Sequence, residues 1–124
     1  EVERIIIVGH RSCGAIRALM DGEGTTTNNF EFIGSWVTIA QEAREQVLRE
    51  MAGASAEEQA RACEQAAIAL SLKNLMTFPW IRERVEAGKM TLHGWYFDMD
   101  MGELLGYRED TGRFEPLVGK AAAE

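Results

Sequence analysis

His10 and Cys13 are the residues of this chain whose types and spacing can do chemistry. An imidazole nitrogen and a thiolate sulfur are donors that zinc favours, and a turn can present an i, i+3 pair to one tetrahedral ion. A bare H-x-x-C is more often a turn histidine beside a buried cysteine, so the spacing does not carry the assignment alone. Position shifts the balance. The pair follows the apolar run Ile5-Ile6-Ile7-Val8, which reads as a strand ending at Gly9, and an alanine-rich helical segment begins just beyond it. In open α/β sheets, ligands collect outside the carboxyl ends of the strands. Gly14 is expected to let backbone approach the site closely and to open the helix behind Cys13. Catalytic zinc takes three protein ligands plus water, so two donors leave the centre short of one.

Competing chemistries are weaker. Gly9 and Gly14 have the G-x-x-x-x-G spacing of a phosphate loop, but Ala15 and Ile16 stand where that motif needs Lys and Ser or Thr. A G-x-G-x-x-G dinucleotide fingerprint is absent. Cys13 as a nucleophile with His10 as its base would need a further group to orient the imidazole, and none is identifiable. Asp98 and Asp100 share a turn, but Met99 and Met101 interrupt any oxygen-ligand loop for calcium. Cys63, among alanines in a helical stretch, reads as small core filler. His93, next to Gly94 in a strand, reads as a packed, hydrogen-bonded side chain. Trp36, Trp80 and Trp95 read as apolar anchors at a core or a subunit interface.

The elements that must position the pair follow from periodicity. Branched aliphatics on both faces of 5–8 predict a central parallel strand buried on both sides. Helical spacing covers 14–20, 32–51, 56–75 and 80–87, with loop chemistry at 21–29. Ser55 and Glu58 have capping-box spacing, and Gly88 suits a helix C-terminus. A second strand spans 90–97, a turn 98–102, and an edge hairpin 103–118 around Asp110-Thr111-Gly112, with a frayed end at 119–124. So few strands do not complete a parallel sheet. The expectation is therefore an α/β domain with a central, mainly parallel β-sheet flanked by helices. Residues 1–124 would form the C-terminal portion of that single domain.

Composition narrows the partners. A formal charge of -7 over 124 residues argues against nucleic acid and anionic membrane surfaces. No stretch approaches the ~20 apolar residues of a membrane span, and no signal segment opens the sequence. Two unlike cysteine settings suit free thiols in a reducing compartment, so the expected location is cytoplasmic.

These residues resemble a known family. The run Ile6-Ile7-Val8-Gly9-His10-Arg11-Ser12-Cys13-Gly14 is similar to the second zinc motif, G-H-x-x-C-G, of the β-class carbonic anhydrases. Glu64 with Ser71-Leu72-Lys73-Asn74-Leu75, then Pro79-Trp80-Ile81, resembles the family's helix and following loop. Leu92-His93-Gly94-Trp95-Tyr96-Phe97-Asp98 with Gly102-Glu103-Leu104 resembles its late strand, H-G-W-x-x-D…G-x-L. The likeness runs in order through almost the whole chain.

What the resemblance implies is a dimer or higher homo-oligomer that reversibly hydrates carbon dioxide to bicarbonate and a proton. A zinc ion in each subunit is held by two cysteines and a histidine, and His10 and Cys13 match two of those ligands. The third ligand, with an Asp–Arg pair gating the metal, belongs to an upstream C-x-D-S-R motif that these residues do not include. Zinc lowers the pKa of bound water from about 15.7 to roughly 7, so zinc-bound hydroxide is the implied nucleophile. Arg11 departs from many members, which carry a small or polar residue there, and this alters hydrogen bonding at the rim. The alternative, for these residues alone, is a non-catalytic metal-binding or oligomerisation module.

Overall fold

The β-branched run near the start favours extended backbone, and β1 occupies Arg4–His10. The computed structural model describes residues 2–20 and 31–118. The expected loop at 21–29 and frayed end at 119–124 lie outside the described residues, as does the side chain of Trp36. After β1 come α1 (Gly14–Met20), α2 (Glu31–Glu50), α3 (Ala56–Leu75), α4 (Pro79–Glu86), β2 (Thr91–Asp98), β3 (Glu103–Arg108) and β4 (Arg113–Val118). The chain divides into two compact units, one of Glu1–Arg11 with Ile68–Glu124, the other Ser12–Ala67.

The first unit holds a four-stranded sheet in the order β1-β2-β3-β4. β1 lies parallel to β2, in register from Arg4 opposite Thr91 to His10 opposite Phe97. The two pairings beyond it are antiparallel, so the sheet is mixed. The expected hairpin at 103–118 is present as β3 and β4, and Gly112 takes the left-handed φ of 69° that its turn requires.

The expectation that β1 is buried on both faces is corrected. Its exposure alternates, with Ile5 and Ile7 half-buried and Val8 60% exposed. Among the described residues β1 has a strand partner on one side only, so its side chains fall to the two faces with period two. Ile7 shares a face with Gly94, its register partner on β2, and that face is covered by the C-terminal half of α3.

The contact there is close. A Cβ on Gly94 would stand 2.7 Å from Ile68 Cγ2 and 2.8 Å from Leu72 Cδ1. Ile68 and Leu72 are buried, as are Ile81, Met90 and Tyr96. Tyr96 meets Phe114 of β4 edge-on, with ring centroids 6.2 Å apart. In the second unit α1 packs against α2, and the buried side chains are mostly small: Ala40, Ala43 and Val47 on α2, Ala60, Cys63 and Ala67 on α3, with Ile16 of α1 and Glu64 of α3 the large ones.

Helix ends follow local chemistry. Ser55 Oγ accepts the Glu58 N–H at 3.2 Å and donates to Glu58 Oε1 at 3.1 Å, starting α3 as its spacing predicts. α4 begins at Pro79, and Phe78 before it is extended, as proline requires of its predecessor. The helix ends in a Schellman arrangement: Gly88, at φ 74°, donates to the Val85 carbonyl and Lys89 to that of Arg84.

Replacing Gly94 by Ala should lower stability by roughly 1–3 kcal/mol, because two buried methyl groups would have to move. Gly53→Ala, where a Cβ meets nothing within 4 Å, should leave the denaturation midpoint nearly unchanged. Equal midpoints for the two variants would show that the seam between α3 and β2 is looser than described.

Candidate metal centre

β1 ends at His10, and the parallel pairing continues one residue further: the Arg11 N–H donates to the Phe97 carbonyl at 2.9 Å. His10 is exposed, and its Nδ1 lies 3.0 Å from the Arg11 carbonyl oxygen. A carbonyl can only accept, so this bond places the imidazole proton on Nδ1. The lone pair is then on Nε2, the arrangement a metal-binding histidine needs.

Arg11 is held from β2 and the turn after it. Its Nη1 donates to both Asp98 carboxylate oxygens, at 3.2 and 2.9 Å. Nε lies 3.0 Å from Asp100 Oδ2, an ion pair whose angle falls short of a hydrogen bond. Asp98 Oδ1 also accepts the N–H groups of Asp100 and Met101. Desolvation pushes the Asp98 carboxyl up, but the Met101 N–H and the hydrogen bond and charge of Arg11 outweigh it, holding the group below its ordinary value. Asp98 therefore serves the turn and the arginine.

Within the second unit the chain passes through Ser12 at φ 61°, a left-handed conformation uncommon outside glycine. It reaches Cys13, whose carbonyl accepts the Arg17 N–H and opens α1. Cys13 is a free, half-buried thiol. Its N–H donates to Glu64 Oε2 of α3 at 3.1 Å. Glu64 is only 4% exposed, and a carboxylate so far from water needs such donors. Gly14 begins α1 behind Cys13, and a Cβ there would meet nothing within 4 Å.

Among the described residues no group of three or more His, Cys, Asp or Glu side chains gathers as a metal centre. His93 is half-buried and its Nε2 bonds Thr91 Oγ1 at 3.0 Å, the packed role expected of it. Trp95 is half-buried, but Trp80 is 61% exposed and so no core anchor. It stands beside Phe78, the two ring centroids 6.4 Å apart. Sequence reasoning missed the clasp of Arg11 by Asp98 and the hold of Glu64 on Cys13. Both rest on partners at least 51 positions away, and pairings at that range leave no local pattern.

Cys63 is fully buried and free. Desolvation, with the nearby Glu64 charge, pushes its thiol up to about 11. An acid whose folded pKa is raised stabilises the fold fully below its unfolded value, and that contribution shrinks as pH climbs past it. Stability should therefore fall between the ordinary 9.0 and about 11, and Cys63→Ala should flatten that slope in denaturation experiments. Cys63 should also resist iodoacetamide at pH 8 until the protein is unfolded.

An α/β sheet with two donor-bearing residues at and just beyond the carboxyl end of a parallel strand is the framework these observations define. The sequence profile described as carbonic anhydrase matches residues 1–104. Beta carbonic anhydrase 3 of Arabidopsis thaliana is 36% identical over 102 residues, which is 82% of this chain and 40% of that protein. The structure of the β-carbonic anhydrase CcaA superposes with a TM-score of 0.81 at 27% identity, over 96% of this chain and 53% of that one. One of two tetrameric β-carbonic anhydrases from Sordaria macrospora superposes at 0.61 with 22% identity, covering 96% and 54%, and shows the shared fold. This chain belongs to the β-class carbonic anhydrase family. It spans about half the length, or less, of these relatives. No helix among the described residues is long and apolar enough to cross a membrane.

Proposed function

We propose that the intact protein catalyses the zinc-dependent, reversible hydration of carbon dioxide to bicarbonate and a proton. Family membership over most of the chain supports the reaction. The observation that carries the site is the His10 ring, whose Nδ1–H donates to the Arg11 carbonyl, leaving Nε2 for a metal. His10 and Cys13 are a donor set that fits zinc. The third ligand is, in this reading, the cysteine of a C-x-D-S-R motif upstream of these residues, whose Asp–Arg pair gates the site. These residues are then the C-terminal portion, 1–124, of one domain.

When bound, zinc supplies the Lewis acidity that makes water nucleophilic near neutral pH. The chain's own residues set the geometry. His10 offers Nε2 in a fixed tautomer. Cys13 offers its sulfur from a backbone held by Glu64. Gly14 begins the helix behind it. A homodimer or higher homo-oligomer is proposed, on the strength of the tetrameric relative. The charge of -7 supports small-molecule rather than nucleic-acid or membrane partners, and two free thiols suit a reducing cytoplasm.

A second reading applies to these 124 residues by themselves, because the described part gathers no three-donor group. Alone they would act as a non-catalytic metal-binding or oligomerisation module.

Cys13→Ser in the full-length protein should abolish zinc retention and carbon dioxide hydration together, with the fold retained by circular dichroism. Metal analysis and stopped-flow hydration check both. A mutant with full metal content and full activity would remove Cys13 from the site. A thiol at Cys13 that alkylates equally fast with and without zinc would favour a thiol chemistry instead.

A further inference from the structure

Arg11 follows His10 in the chain and is held by both its backbone and its side chain. Its N–H is fixed on the Phe97 carbonyl at 2.9 Å. Its guanidinium is fixed on Asp98 at 2.9 Å and beside Asp100 at 3.0 Å. The Arg11 and Asp98 side chains are 20% and 15% exposed, so the pair is largely shielded. Asp98 cannot drift, because its Oδ1 also accepts two backbone N–H groups of the following turn. Arg11 is thus anchored at its N–H and its side chain, on either side of the carbonyl that meets the His10 ring. That carbonyl is the acceptor for His10 Nδ1.

We infer that the Arg11–Asp98 pair is a positioning device for His10: it orients the Arg11 carbonyl, and through it the tautomer and direction of Nε2, and so sets the metal affinity of the site. The inference rests on the proposal that His10 is a zinc ligand, and it makes Arg11 and Asp98 positioning residues. An ion pair that served only as a staple would leave the metal affinity of the site untouched. A hydrogen bond to the far nitrogen of a metal-bound histidine acts on the metal itself, and its loss typically weakens binding by about 10- to 100-fold.

The experiment uses the full-length protein with zinc and, separately, cobalt(II). Zinc dissociation constants are measured by competition with a chromophoric chelator, and the visible cobalt spectrum reports ligand geometry. Asp98→Asn removes the charge facing Arg11 yet keeps an acceptor for the turn. Arg11→Ala removes the clasp, and Arg11→Lys keeps the charge but not the spread of donors. Asp98→Asn and Arg11→Ala should each weaken zinc several-fold, up to the roughly 10-fold lower bound for losing the histidine's partner outright, and shift the cobalt bands. Arg11→Lys should recover part of the loss, and the double variant should be no worse than the weaker single one. Unchanged zinc affinity and cobalt bands in both single variants would overturn the inference, leaving the pair as a structural staple even if melting temperatures fall. If Arg11→Ala does not fold, Asp98→Asn and Arg11→Lys decide the matter. A wild-type protein that binds no zinc would instead sink the proposed function, and this inference with it.

Discussion

The parallel register of β1 on β2 is the constraint on which the site depends. It sets Ile7 against Gly94 and His10 against Phe97, and so fixes where along the sheet the histidine emerges. A parallel pair cannot be closed by a hairpin and needs a long crossover, which here is the whole stretch of helices from α1 to α4. A slip of one residue would turn every side chain of β1 to the opposite face. Two features oppose it: the Arg11 N–H bond to Phe97 beyond the strand's last residue, and the Thr91 N–H bond to Glu3 at its other end.

What resists that slip energetically is burial more than charge. Each large apolar side chain taken fully out of water contributes roughly 1.5–3 kcal/mol, and Ile68, Leu72, Ile81, Met90 and Tyr96 are all buried in the unit that holds the sheet. The Arg108 pairs with Asp110 and Glu115 are exposed on both sides, and such pairs contribute little. Gly94 matters because it lets α3 lie close enough to β2 for this burial to occur. The glycine of the H-G-W motif is thus a packing requirement, one residue from a histidine that serves the same strand.

Local signals were legible wherever one residue type decided the matter. Ser55 with Glu58, Pro79 with Gly88, and Gly112 in its turn each marked a boundary close to the observed one. α3 was readable to the residue because its caps are local. The strand carrying His10 was readable as a strand, but its burial was not. Ile5-Ile6-Ile7-Val8 satisfies a two-sided core and an alternating edge equally well, and which holds depends on neighbours the run itself does not specify. Trp80 lies outside the core of this chain: bulk alone does not separate a core anchor from an exposed one. At the site, the H-x-x-C spacing was visible and its supports were not. Glu64 and Asp98 reach Cys13 and Arg11 across 51 and 87 positions.

Stability and site geometry therefore rest on different residues. The apolar seam of Gly94, Ile68 and Leu72 holds the sheet against its helix whether or not a metal is present. The polar contacts around Arg11 lie outside that seam and hold the residue whose carbonyl faces His10. Arg11 and Asp98 meet across the β1–β2 pairing, 87 positions apart in the chain. A long cation at such a position is an unsatisfied charge unless an acid meets it, and Asp98 sits at the end of the strand whose register delivers His10. The same pairing that places the histidine also brings its support.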